Sequence, residues 1–164
     1  MTSLSLRRLK HNDNYGTPDY AWSMILPFIP KNKILYDGFY LNGNSKTFFE
    51  RQGYQMIHQD LDFFKTYQNV NFDIFVSNIP FTLKQPTLKI LYDLDKPFLI
   101  ICPVSIITKM FLKNIFKEKI NDIQYIIPGK RIHFLKNGDE TKRCWWDTIF
   151  VTYKLNLNST IVYL

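Results

Sequence analysis

The chain has few residues of the kinds that build metal sites and disulfide frameworks. Its 164 residues include only two cysteines, Cys102 and Cys144, and three histidines, His11, His58 and His133. Two cysteines this far apart form neither a zinc-binding motif nor a disulfide framework. The histidines are scattered and do not form a ligand cluster. We therefore expect no metal ion, and we interpret each histidine as a structural or surface residue.

The chain also has no long apolar run. Its most apolar stretch, PFLIICPVSII, begins at Pro97, is interrupted by Pro103 and is too short to span a bilayer. The first ten residues, MTSLSLRRLK, carry their basic residues after a very short apolar piece, so they do not form a secretory signal. We expect a soluble intracellular protein without a membrane partner, and residues 1–13 are expected to form a flexible basic arm.

Acidic residues are fewer than basic residues. Fourteen aspartates and glutamates face 21 lysines and arginines, which gives a formal net charge of +7. This excess permits an anionic partner such as nucleic acid, although it is equally typical of an ordinary solvated basic surface. With 14 phenylalanines and 10 tyrosines, the chain has ample aromatic surface for a core. Its length suits a single domain, which we expect to span residues 1–164.

Apolar runs and turn residues alternate along the chain in an α/β pattern. The pattern predicts strands at 34–36, 54–60, 72–77 and 97–104 and helices at 20–29, 44–53, 85–94 and 106–119. Thr17 and Pro18 are expected to begin the first helix. Four short β segments, at 123–128, 131–135, 147–155 and 159–164, make the end of the chain rich in strands. This order predicts a mostly parallel sheet with a C-terminal antiparallel β pair.

Three of the predicted strands end in polar and unusual residues. The segments DGFYLNG, HQDLDFF and SNIPF follow the first three strands, beginning at Asp37, His58 and Ser77. Open α/β sheets bind ligands beyond the carboxyl ends of their strands. The coincidence therefore predicts a site, although Asn-Ile-Pro-Phe alone is also typical of an ordinary turn.

Several segments, in order, resemble the S-adenosylmethionine-dependent methyltransferases that modify the N6 amine of adenine in DNA. The similarity is greatest to the compact phage and large-virus members. NYGTP resembles their Tyr/Trp-x-Thr-Pro element, ILYDGFYLNG their cofactor loop, and DFF their acidic-aromatic segment. NIPF resembles the Asn/Asp-Pro-Pro-Tyr/Phe catalytic motif, and GKRIHF a late basic strand. If the chain is viral, the resemblance implies a location in the host cytoplasm or the virion.

The resemblance implies a Rossmann-like class I methyltransferase fold and a specific set of site residues. The catalytic segment is Asn78, Ile79, Pro80 and Phe81. The residues implied to bind S-adenosylmethionine are Tyr15, Thr17, Pro18, Asp37, Phe39, Gly43, Asp60, Asp62 and Phe63. The residues implied to contact nucleic acid, DNA more than RNA, are Lys130, Arg131, Lys142 and Arg143.

The chain departs from the family pattern in its cofactor loop and its catalytic motif, and Gln59 is an amide where an acid could hold the cofactor ribose. Gly38 stands where the family usually has proline, Leu41 where it usually has glycine, and Ile79 where it has the first proline of the catalytic motif. A left-handed turn at Leu41 is expected to be strained by about 1–3 kcal/mol. These departures leave open a second interpretation, a catalytically weak or inactive methyltransferase-like module that binds nucleic acid, a protein partner or a second copy of itself.

Overall fold

The computed structural model describes residues 15–141 and 146–164, and its centre is a seven-stranded sheet with helices on both faces. Predictions for residues 1–13, Lys142 and Arg143 lie outside the described residues. The helices are α1 (Asp19–Ser23), α2 (Asn44–Arg51), α3 (Phe63–Thr66), α4 (Lys84–Leu94) and α5 (Met110–Phe116). The strands are β1 (Ile34–Asp37), β2 (Gln55–His58), β3 (Ile74–Asn78), β4 (Phe98–Pro103), β5 (Ile123–Ile127), β6 (Leu135–Lys136), β7 (Asp139–Glu140), β8 (Thr148–Tyr153) and β9 (Ile161–Tyr163).

The strand order in the main sheet is β2-β1-β3-β4-β8-β5-β9, and only β8 runs against the others. Strands β6 and β7 form a separate antiparallel pair across Asn137 and Gly138, both with positive φ, as a two-residue hairpin turn requires. The prediction of a mostly parallel α/β sheet with an antiparallel pair is therefore confirmed.

The alternation of side chains along the strands divides the core into two layers. Leu35, Val76 and Leu99 pack with α1 and α2 on one face of the sheet. Tyr36 and Phe75, their sequence neighbours, pack with α3, α4 and α5 on the other. Every residue of β4 is buried, which is the pattern of a strand covered on both faces.

Two predicted helices and one predicted strand differ from the structure. The helix predicted at 20–29 ends at Ser23 and gives way to a 3-10 turn at Leu26–Phe28, because Pro27 has no backbone N–H to donate. The helix predicted at 106–119 consists of 3-10 turns on either side of α5. The strand predicted at 131–135 is extended without strand pairing until Leu135.

Thr17 does not begin α1 by capping it. Pro18 is the residue before the helix, and no side chain hydrogen-bonds to the first turn. The Thr17 side chain is instead buried beneath the carboxyl edge of the sheet, at 8% exposure. Thr17 is therefore a buried residue at this edge of the sheet and not a helix cap.

Within the described residues, no helix is long and apolar enough to cross a membrane.

Candidate functional site

The chain reverses its direction of winding beside β1, and this reversal opens a crevice at the carboxyl edge of the sheet. From β1 the chain passes through α2 to β2 on one side and then returns to form β3 on the other side of β1. Such a switch point is where open α/β sheets place their ligands. Asp37 ends β1 and Asn78 ends β3, so the parallel register places both residues at this crevice.

A cleft occupies the crevice, and it brings together many of the residues singled out in the sequence. The volume of the cleft is about 330 Å³ when the space at its open mouth is included. Only about 40 Å³ of this volume can hold the centre of a water molecule, so the cleft is narrow. Predicted site residues that line it are Tyr15, Thr17, Asp37, Phe39 and Asn78. The other lining residues, which were not predicted, are Gly16, Trp22, Leu41, Asn42, Asn44, Ser45 and His58.

Asp37 lies at the floor of the cleft and accepts several hydrogen bonds. Its Oδ1 accepts the Ser77 hydroxyl at 2.6 Å and the Phe39 N–H at 3.1 Å, and its Oδ2 accepts the Ser45 hydroxyl at 2.8 Å. Complete burial raises the pKa of this carboxyl, although nearby His58 and these donors oppose the rise. A buried carboxyl with a raised pKa inside a cleft is a frequent mark of a functional site.

His58, which was interpreted as a structural or surface residue, lines the cleft. It ends β2, is 6% exposed, and its Nδ1 lies 3.1 Å from the Asp37 carbonyl oxygen. A carbonyl oxygen only accepts, so Nδ1 carries the proton of this bond. The ring also stacks at 4.8 Å on Tyr40. The sequence indicated His58 only through its position, because this residue begins the polar segment HQDLDFF at the end of a strand.

The orientation of Asn78 is set by the segment on the opposite wall. Its Nδ2 donates to the Tyr15 carbonyl oxygen at 3.2 Å, so the amide nitrogen faces that carbonyl. The Oδ1 atom therefore points away from Tyr15 and is available as an acceptor. Tyr15 is itself held in place, because Gly16 exchanges two backbone hydrogen bonds of 2.8 Å with Leu135 of the β6–β7 hairpin.

An aromatic cluster adjoins Asn78 at the mouth of the cleft. The Phe81 ring lies edge-on to Trp146 at 5.5 Å and to Phe134 at 6.4 Å. Trp146 also lies edge-on to Tyr15 at 6.5 Å and remains 37% exposed. Phe81 is thus fixed next to Asn78, and an exposed indole stands beside it.

The Thr17 hydroxyl is buried in the cleft wall and has no hydrogen-bond partner within the described part of the chain. A buried hydroxyl without a partner costs about 1–3 kcal/mol, so its presence in a cleft suggests that a ligand atom completes it. Thr87 and Thr148 have similarly unpartnered hydroxyls but do not line this cleft.

Five predicted cofactor residues do not line the cleft, and one of them is Gly43, which stands between the lining residues Asn42 and Asn44. Phe63 is 1% exposed and packs in the core among aromatic rings, including Tyr36 at 6.3 Å. Asp62 caps α3 by accepting the Phe64 N–H at 3.1 Å. Asp60 is exposed, and Pro18 is buried just outside the lining.

The loop between β1 and α2 accounts for two of the departures from the family pattern. A β-carbon on Gly38 would overlap Cδ2 of the Phe63 ring and lie 3.1 Å from its Cγ, so proline does not fit here. The left-handed residue of the loop is Gly43, with φ of 78°, where α2 begins. Leu41 does not have a positive φ, so the strain expected there is absent.

The third departure, Ile79, is explained by packing. Its side chain is 1% exposed and belongs to the core layer that contains Phe75 and Leu88. This anchoring, together with the restriction that Pro80 places on the residue before it, fixes the backbone next to Asn78.

Lys130 and Arg131, the two predicted nucleic-acid residues among those described, lie between β5 and β6. Lys130 Nζ lies 4.5 Å above the Tyr20 ring, and Arg131 Nε lies 3.4 Å from an Asp147 carboxylate oxygen. Lys136, which was not predicted, lies 6.0 Å from the Tyr15 ring. Of these basic residues, Lys136 is the one that lies beside the Tyr15 wall of the cleft.

Neither metal chemistry nor a reactive thiol is indicated in the described residues. No group of three or more potential metal ligands occurs within 15–141 and 146–164. Burial raises the pKa of the Cys102 thiol to about 12, so this cysteine stays protonated.

No protein-family model matches the chain, and a search of curated proteins gave no significant match.

Proposed function

We propose that this chain is an S-adenosylmethionine-dependent methyltransferase that acts on the N6 amine of adenine in DNA, with RNA as the less favoured acceptor. The observation that carries the proposal is the geometry of Asn78. This residue ends β3 at the switch point of the sheet, and its amide nitrogen is engaged by Tyr15 so that Oδ1 is left to accept. The mostly parallel sheet and the crevice beside β1 are compatible with the Rossmann-like class I methyltransferase fold implied by the resemblance.

The acceptor chemistry gives Asn78 and Ile79 their proposed roles. The exocyclic amine of adenine is a weak nucleophile because its lone pair is delocalised into the ring. Two acceptors on its N–H groups localise that lone pair. Asn78 Oδ1 is one acceptor, and the Ile79 carbonyl, held by a buried side chain and by Pro80, is proposed as the other.

Phe81 supports the acceptor ring in this proposal. Base–aromatic stacking contributes about 1–3 kcal/mol per base, which is comparable with the few kcal/mol needed to extrude a base from a duplex. Edge-on contacts with Trp146 and Phe134 hold the Phe81 ring in place before a base arrives, so little ordering is required.

The residues of the cleft fit one end of the cofactor better than the other. S-adenosylmethionine, when bound, supplies an electrophilic methyl group. The unpartnered Thr17 hydroxyl, the Asp37 carboxyl and the Asn42 and Asn44 side chains offer polar partners for its amino-acid portion. The nucleoside portion needs more width than the cleft has, and Leu41, which is 42% exposed, is one of the residues that line it.

The test of the proposal is methyl transfer by Asn78→Ala. We expect wild type to transfer labelled methyl groups to adenine-containing DNA, with N6-methyladenine recovered as the nucleoside product. Asn78→Ala should lower the rate about 10²-fold or more while it retains most of the cofactor affinity. Asn71→Ala, an exposed asparagine at the opposite edge of the sheet, is the matched control. Equal transfer by wild type and Asn78→Ala would remove the catalytic assignment.

A second candidate is a methyltransferase-like module that binds nucleic acid or protein without methylating it. The narrowness of the cleft and the position of Leu41 favour this alternative. Titration calorimetry with S-adenosylmethionine distinguishes the two candidates, because the module is expected to give no heat at millimolar ligand. Leu41→Ala should then restore binding by widening the cleft, whereas Leu61→Ala, at a residue of similar exposure in another loop, should not.

A further inference from the structure

A group of exposed apolar side chains lies at the carboxyl edge of the sheet, directly after β4. Val104 and Ile107 are each 44% exposed and Met110 is 67% exposed. Ile106, between them, is completely buried and anchors the 3-10 turn Val104–Thr108 to the core. The turn is thus fixed by one isoleucine while its neighbours face solvent.

These side chains continue from the aromatic cluster at the cleft. The Val104 N–H donates to the Asp147 carbonyl oxygen at 2.8 Å, which joins the turn to the residue after Trp146. Trp146 is 37% exposed and lies 5.5 Å from the Phe81 ring. We call Trp146, Val104, Ile107 and Met110 the apolar strip.

The segment that carries Val104, Ile107 and Met110 has basic but no acidic residues. Lys109 and Lys113, both exposed, lie in this segment. Asp147, the acid closest in sequence to Trp146, is 3.4 Å from the Arg131 side chain. Phosphate groups approaching the strip therefore meet ammonium groups and no unpaired carboxylate of this segment.

We infer that the apolar strip is a docking surface for unpaired nucleotides, so the nucleic acid that this chain engages is single-stranded or locally opened. Unpaired bases expose apolar faces that a duplex keeps stacked inside. An aromatic side chain such as Trp146 stacks on such a face with little sequence preference, and burial of the neighbouring aliphatic side chains against the bases is favourable. The inference rests on the proposed function in one respect, since it places the strip beside the acceptor base at Phe81. A strip of this kind gives a short chain a hold on the substrate next to the acceptor.

The test measures the binding of fluorescent oligothymidine by anisotropy. This oligonucleotide contains no adenine, so its binding is independent of methyl transfer. The double variant Ile107→Ser, Met110→Ser should bind it roughly tenfold more weakly, about 1.4 kcal/mol. The matched control is Ile161→Ser, Tyr163→Ser, which removes two apolar side chains of 44% and 76% exposure on β9 and should leave binding unchanged. Salt dependence should be the same in wild type and in the strip variant, since no phosphate contact is removed.

Three results would overturn the inference. The first is unchanged oligothymidine binding by the strip variant, and the second is tighter binding of wild type to a duplex with oligodeoxyadenosine than to the single strand. The third is self-association of wild type, seen by sedimentation, that the strip variant loses, because the strip would then be a protein interface. Failure of the proposed function looks different, since oligothymidine would bind through the strip while no methyl group is transferred to adenine.

Discussion

Two aspartates at opposite edges of the sheet have opposite environments. Asp95 lies at the amino edge, before β4, with its side chain 45% exposed and hydrogen-bonded to Lys119, Lys154 and Tyr153. These partners hold the pKa of its carboxyl well below the usual range. Asp37 lies at the carboxyl edge, where burial raises the pKa of its carboxyl.

The difference separates a structural carboxylate from a candidate site carboxylate. Lys119 and Lys154 more than compensate the Asp95 carboxylate and tie the end of α4 to the turn before β5 and to the end of β8, so no negative charge is left for a ligand to meet. Asp37 is surrounded by uncharged donors and one imidazole, so a cationic or hydrogen-bonding ligand can further stabilise its ionised carboxyl. Incomplete compensation of a buried charge is the feature that marks the carboxyl edge as the place for binding.

The largest expected effect is that of removing each carboxylate. Asp37→Ala should lower the free energy of unfolding by about 3 kcal/mol or more, because buried hydroxyls of Ser45 and Ser77 lose their acceptor. Asp95→Ala should lower it by about 1–2 kcal/mol, because the two partly exposed lysines return to water and only the buried Tyr153 hydroxyl loses an acceptor. Urea denaturation of the two variants measures the difference. Equal losses would mean that the two environments do not differ in the way described.

A smaller effect is expected from removing the hydroxyl group that donates a hydrogen bond to each aspartate. Ser77 donates to Asp37 at 2.6 Å, and Tyr153 donates to Asp95 at 2.7 Å. Ser77→Ala and Tyr153→Phe should each lower the free energy of unfolding by about 0.5–2 kcal/mol. Calorimetric titration with S-adenosylmethionine separates them, since only Ser77→Ala should weaken binding. Weaker binding by Tyr153→Phe would contradict the assignment of Asp95 to structure.

The smallest expected effect is in the dependence of stability on pH, where the two aspartates should have opposite signs. Lowering of the folded-state pKa means that Asp95 stabilises the fold above the ordinary aspartate range, about pH 4, and that this contribution is lost as the pH falls through its folded pKa. The advantage of wild type over Asp95→Asn should therefore shrink below about pH 4.

Because the folded-state pKa of Asp37 is raised, the fold is more stable when this carboxyl is neutral. The free energy of unfolding therefore falls as the pH rises through the folded-state pKa of Asp37. Asp37→Asn should gain stability relative to wild type with rising pH. His58 and Tyr40, which pack beside Asp37, are present in both proteins, and His58 reduces this gain when it is charged. Urea denaturation in steps from pH 2 to pH 7 gives both slopes. Slopes of the same sign would show that one environment has been assigned wrongly.

The sequence predicted best those positions that follow directly from the order of the strands and the geometry of a parallel sheet. Asp37 and Asn78 were predictable because residues that end neighbouring parallel strands meet at one edge, whatever the detail of the loops. The helix at 20–29 was predicted too long because apolar spacing outweighed Pro27, which has no N–H for a helical bond.

Tertiary packing decided the positions that sequence could not assign. Phe63 follows an acidic residue as in the resembling family, yet it packs beneath Gly38, and no local pattern distinguishes a phenylalanine in a ligand pocket from one in the core. His58 gave no motif, because a single histidine acquires its role from the Asp37 carbonyl on a neighbouring strand. Trp146 is likewise placed by contacts with Tyr15 and Phe81, which are distant in sequence.

The pairing of Gly16 with Leu135 also has a consequence for the order in which the molecule assembles. One wall of the cleft depends on two backbone hydrogen bonds between residues near the two ends of the chain, and the Tyr20 hydroxyl accepts the His133 N–H across a similar separation. Contacts of such high sequence separation require closure of a very long loop, which favours their formation after the local βα units. During synthesis the Tyr15 wall has no partner until Leu135 has emerged from the ribosome. This wall of the cleft is therefore completed near the end of folding, and a nascent chain without its last thirty residues should lack it together with strands β6 to β9.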